Sequence, residues 1–101
     1  MYIAMNRFQV RKERAKDFEE LWRTRNSYLH EMDGFVEFHM LRGPEREDHI
    51  LYSSHTTWKT FEDFNNWTKS DAFRKAHANA GNTSDGMTLG HPNFEGFEVI
   101  Q

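Results

Sequence analysis

The chain has 101 residues, a formal net charge of −3 and no cysteine. That length predicts one domain over 1–101, and the missing thiols exclude disulfides, iron–sulfur clusters, thiolate metal ligation and cysteine nucleophiles. The charge balance offers nothing to attract nucleic acid. Hydrophobic residues are only 37% of the chain, yet aromatics reach 15% with nine Phe. Large rings bury much area each in a chain too short to hide all of its apolar surface, so a partner subunit or a flat apolar ligand is expected. The start Met1-Tyr2-Ile3-Ala4-Met5-Asn6-Arg7 has neither the basic region nor the apolar run of a signal peptide, and no stretch is long enough to span a membrane; both predict a cytoplasmic protein.

Tyr2 to Val10 alternates as a strand, with Tyr2, Ala4, Asn6, Phe8 and Val10 on one face and Ile3, Met5 and Arg7 on the other. Asn6 is then an amide among apolar neighbours, and an unpaired buried amide costs about 1–3 kcal/mol. A helix is predicted from about Glu13 to Tyr28, with Ala15, Phe18, Leu21, Trp22, Arg25 and Leu29 on its inner face. Asp33-Gly34 signals a turn. Phe35 to Arg42 is the next strand, with Phe35, Glu37, His39 and Leu41 opposite Val36, Phe38 and Met40; Gly43 to Asp48 is a polar hairpin loop. His49 to Trp58 has the β-branched and aromatic bias of a third strand.

Thr60 caps a short helix carrying Phe61, Phe64 and Trp67. Ser70 caps a second one, whose dipole Asp71 complements. In that helix Phe73, Ala76, His77 and Ala80 fall on one apolar face, which leaves His77 open to two readings: a core imidazole with a local partner, or a metal ligand. Gly81 to Asn93 is a long turn-rich loop of the functional or mobile kind. Phe94 to Ile100 closes the chain as a strand. The order β-α-β-β-α-β predicts an α+β, ferredoxin-like antiparallel sheet covered by helices on one face. Ile3, Met5, Trp58 and Val99 suggest apolar groups on both faces, which makes the uncovered face an interface candidate. His39, His49 and His55 lie on strands without tight ligand spacing.

Asn6, Trp67 and His77 together resemble the functional triad of the IsdG-like haem-degrading monooxygenases, a branch of the antibiotic biosynthesis monooxygenase superfamily. The likeness extends over most of the chain: Met5-Asn6-Arg7-Phe8, Trp22-Arg23-Thr24-Arg25, Gly34-Phe35, Thr57-Trp58-Lys59, and Trp67-x-Lys69-Ser70-x-x-Phe73-x-x-x-His77. It implies a homodimer in which two sheets close an α+β barrel, with a haem pocket between sheet and helices in each subunit. It also implies that His77 ligates the haem iron, that the Asn6 amide donates to iron-bound oxygen, and that Trp67 distorts the macrocycle. Trp22 stands where the better-known members carry phenylalanine, as part of the distal wall, and Arg25 would meet a propionate. The implied activity is cleavage of the porphyrin at a meso carbon with dioxygen and an electron donor, giving a linear tetrapyrrole and iron. The competing readings are a haem carrier or buffer, and a cofactor-independent quinol or polyketide monooxygenase of the same superfamily.

Overall fold

The computed structural model describes residues 1–24, 28–75 and 86–101. Strands β1 (Tyr2–Val10), β2 (Phe35–Glu45), β3 (Ile50–Trp58) and β4 (Asn93–Glu98) form one antiparallel sheet in the order β2-β3-β1-β4. Helices α1 (Ala15–Thr24) and α2 (Phe61–Thr68) cover one face, which confirms the ferredoxin-like arrangement. Short 3-10 turns at Lys12–Arg14 and Leu29–Glu31 lead into α1 and β2.

The register fixes which side chains meet the helices. Tyr2, Ala4, Asn6, Phe8 and Val10 of β1 lie opposite Trp58, Thr56, Ser54, Tyr52 and Ile50 of β3. Phe8 and Val10 pack with Phe18 of α1, whereas Tyr2 packs with Phe61 and Phe64 of α2, so this whole row faces the helices. Trp58 belongs to that row, opposite Tyr2, on the face that the helices cover. A register shift between Phe35 and Glu37 accommodates one extra residue, and Val36 is left exposed. The bulge reverses the alternation, putting Phe35 with Phe38 and Met40 on the helix side and not with Glu37 and His39 as plain period two predicts.

Strand β2 also runs further than expected, through Gly43 and Pro44. It lies at the sheet edge, where proline's missing donor costs no ladder bond. Tyr28 has a φ of 61°, a left-handed backbone that no right-handed helix can pass through, and the described part of α1 ends at Thr24. Gly34 turns with a φ of 82° beneath α2, and a Cβ there would run into the Asp63 carboxylate. Part of the expected loop is tied down: Met87 is buried, its carbonyl accepts from Arg11 N at 2.8 Å, and Leu89 N donates to Gln9 O at 2.8 Å.

Two aromatic clusters fill the space between sheet and helices. One lies under α1 and joins Val10, Phe18, Tyr52 and Met87 with Phe8, Leu21, Trp22, Met40 and Ile50. The other lies under α2 and joins Leu29, Trp58 and Trp67 with Tyr2, Phe35, Phe38, Phe64 and Phe73 among others. The opposite face carries Ile3, Met5, Leu41 and Phe97, with no helix over it among the described residues, and His39 and His55 stack there at 6.5 Å.

Candidate functional site

Asn6 stands on β1 between Ala4 and Phe8, in the helix-facing row and at the seam of the two clusters. Its backbone partners are Ser54 and Phe94. The residue is half-buried, and among the described residues no side-chain hydrogen bond holds its amide. Phe94, beside Asn6, stacks on Phe64 of α2 at 5.6 Å with nearly parallel rings, which brings β4 and α2 to the same wall. Close passage of β4 depends on Gly96, where a Cβ would collide with the Tyr2 hydroxyl.

Trp67 ends the inner face of α2. Thr60 caps this helix, its hydroxyl accepting from Asp63 N at 3.1 Å. Trp67 is 7% exposed and lies 6.2 Å from Trp58 and 5.5 Å, edge to face, from Phe73. The Ser70 cap forms as the sequence predicts: its hydroxyl accepts from Phe73 N at 3.1 Å and donates to the Trp67 carbonyl at 2.7 Å. A single serine thus joins the end of α2 to the helical stretch over 71–75. Arg74 pairs with Asp71 and is exposed, a solvated helix face. His77 and Arg25 lie outside the described residues. Trp58 Nε1 is fully buried and has no hydrogen-bond partner among the described residues, a donor left over beside Trp67.

Trp22, on α1, packs edge-on against Phe8 at 5.7 Å and flat against Phe38 at 6.0 Å. It bridges the two clusters on the side of the sheet that carries Asn6. Among the described residues no hydrogen bond or ring contact joins Asn6, Trp67 and Trp22 directly; they share one layer. Trp22 also lines a cleft of about 350 Å³ with Glu19, Arg23, Met40, Arg42 and Tyr52. In that cleft the buried Tyr52 hydroxyl donates to Glu19, whose carboxylate also accepts from Arg42 Nη1 at 3.2 Å. Burial first, and then the Glu19 carboxylate, push the Tyr52 phenol up to about 12. Sequence reasoning missed this trio. Strand alternation places Tyr52 beside Phe8, but the partner carboxylate comes from α1, and nothing local couples the two.

The strand histidines do not converge on a metal. His55 and His39 face away from the helices, and among the described residues no three His, Asp or Glu groups are placed to hold an ion.

The family model described as antibiotic biosynthesis monooxygenase matches residues 1–79. The chain belongs to that family. It is 34% identical over 87 residues to a heme oxygenase (staphylobilin-producing) of Staphylococcus haemolyticus, covering 83% of this chain and 80% of the relative. The structure of the heme-degrader MhuD from Mycobacterium tuberculosis, with two hemes bound in its active site, superposes with a TM-score of 0.75 at 22% identity, covering 100% of this chain and 97% of MhuD. SnoaB from Streptomyces nogalater, a cofactor-independent oxygenase, superposes with a TM-score of 0.68 at 22% identity, covering 99% of this chain and 93% of SnoaB. The family's fold therefore serves both kinds of oxygenase, and residues must decide between them.

Proposed function

We propose that this family member is a haem-degrading monooxygenase of the IsdG type, which binds haem between the sheet and the helices and opens the porphyrin to a linear tetrapyrrole. The observation that carries the reading is the Asn6 amide: half-buried, unbonded through its side chain among the described residues, and set between two aromatic clusters. A polar donor in such a place asks for a ligand acceptor. The Trp58 N–H, without a hydrogen-bond partner among the described residues, lies in the same layer, and the flat apolar walls suit a macrocycle. The relationship to the staphylobilin-producing heme oxygenase supports the same substrate.

Haem, the substrate, supplies the iron that activates dioxygen and the meso carbon that is oxidised. The chain supplies position. The Asn6 side chain donates a hydrogen bond on the oxygen side of the pocket. Trp67, held by Trp58 and Phe73, would press a rigid indole against a bound macrocycle and distort it. His77 would hold the haem iron through its imidazole, a usual protein ligand for haem. Trp22 narrows the distal wall, and Arg25 takes a propionate as a charge-assisted fork. The bare sheet face with Ile3, Met5, Leu41 and Phe97 packs against a second copy to form the homodimer. A cytoplasmic reductase or small reductant serves as electron donor.

Two variants test the assignments. His77→Ala is expected to abolish turnover and to shift or weaken the Soret band; an unchanged spectrum removes His77 as ligand. Trp67→Phe is expected to give a flatter porphyrin and slower degradation. If the resonance Raman out-of-plane modes and the rate both match the parent, Trp67 does not distort the haem.

A further inference from the structure

The Tyr52–Glu19–Arg42 cleft is not used by the pocket chemistry above, yet its polar groups are matched to one another. We propose that Trp22, Tyr52 and Glu19 form an outlet for oxidising equivalents, leading from the aromatic layer beside Asn6 to a small one-electron reductant in the cleft between α1 and β2.

Indole and phenol are the two aromatic side chains that give up an electron most readily, and the cleft has one of each in its lining. Phe18 packs between them, 6.1 Å from Trp22 and 5.0 Å from Tyr52. Trp22 in turn touches Phe8, two residues along the same strand face from Asn6. A phenol cannot be oxidised cheaply unless its proton leaves with the electron. Tyr52 is 1% exposed, and the Glu19 carboxylate, which already accepts a hydrogen bond from its hydroxyl, is the proton acceptor at hand. Arg42 holds the carboxylate in place, at 3.2 Å, and Glu19 itself is partly open to solvent. At rest the phenol is fully protonated, because burial and Glu19 hold it well above its ordinary range.

A hydroperoxyl radical, the protonated superoxide that dioxygen chemistry in the pocket releases, takes one electron from the Trp22 indole and leaves as hydroperoxide. Tyr52 returns that electron to Trp22 while its hydroxyl proton passes to Glu19, breaking the O–H bond and leaving a neutral phenoxyl radical. An enediol or thiol in the cleft gives one electron to the phenoxyl, and Glu19 gives back the proton. The protein is unchanged, and the reductant has lost one electron to the oxidant.

Only the source of the oxidant rests on the proposed haem chemistry, so the test uses the ligand-free protein. Pulse radiolysis with azide radical, which oxidises indoles selectively, is followed in the visible for indolyl decay and in the near ultraviolet for phenoxyl growth. The expected result is a phenoxyl rise that is first order and independent of protein concentration. Tyr52→Phe and Trp22→Phe should each remove that phase, and Glu19→Gln, which keeps the shape but cannot take the proton, should slow it several-fold, with circular dichroism unchanged in all three. A full intramolecular rise in Tyr52→Phe, or a rate indifferent to Glu19→Gln, overturns the proposal whatever the outcome of haem assays.

Discussion

The two aromatic clusters occupy the same layer but are closed differently. Under α1, Val10, Phe18 and Tyr52 are at most 1% exposed, and the one buried phenol is bonded to Glu19. Under α2, the bulk comes from indoles, the Trp58 N–H has no partner among the described residues, and the wall continues into Asn6 and Phe94. The first cluster satisfies its polar group internally, as a stabilising core does. The second leaves donors unmatched, which is what a wall that receives a ligand looks like. On the proposed function, stability and binding lie at opposite ends of one sheet face, with Asn6 and Trp22 at the boundary.

The sharpest way to break this division is Phe18→Ala. Phe18 contacts Phe8, Trp22 and Tyr52 and is 1% exposed, so its truncation should lower unfolding free energy by about 3–5 kcal/mol in chemical denaturation. A loss below about 1 kcal/mol would mean that the α1 cluster is not the core. Gly34→Ala should come next. It imposes a side chain on a φ of 82° and drives a Cβ into the Asp63 carboxylate, so a loss of about 1–3 kcal/mol is expected in the same assay, with α2 displaced.

Smaller effects should separate the two ends. Ser70→Ala removes the cap that joins α2 to the stretch leading toward His77 and should cost about 1 kcal/mol. Haemin affinity should fall with it, whereas Thr60→Ala should cost a similar amount of stability with less effect on haemin. Equal losses of affinity would deny the second helix a special place in the site. The smallest effect is a pH slope. The Tyr52 phenol ionises at about 12 in the folded chain and at its ordinary value of 10.0 when unfolded, so the unfolded state binds fewer protons between these values. The contribution of Tyr52 is complete below pH 10 and is lost as pH rises toward 12. Tyr52→Phe should flatten that decline in denaturation curves measured across this window.

Much of this was legible in the residues. Strand alternation and the Gly34 and Ser70 signals give the β-α-β-β-α-β order because each is a local preference that packing reinforces. Asn6 stands out because an amide interrupts an apolar row. What failed was non-local. The bulge at Val36 reverses the faces of β2, and no residue type there announces it. Trp58 fits either face by alternation alone, until its pairing with Tyr2 puts it under α2. Met87 sits in a turn-rich stretch that composition assigns to a loop, yet its own backbone bond to Arg11 and that of Leu89 to Gln9 draw it into the core. Glu19 meets Tyr52 across 33 positions, beyond the reach of any spacing rule.

The central claim is that the unmatched wall receives haem and that the chain destroys it. The direct measurement is an anaerobic haemin titration followed by absorbance, then ascorbate and air with catalase present. The account predicts a saturable Soret band at one haem per chain that bleaches as long-wavelength bilin absorbance appears. A Soret band that persists under these conditions, or no band at all, contradicts it.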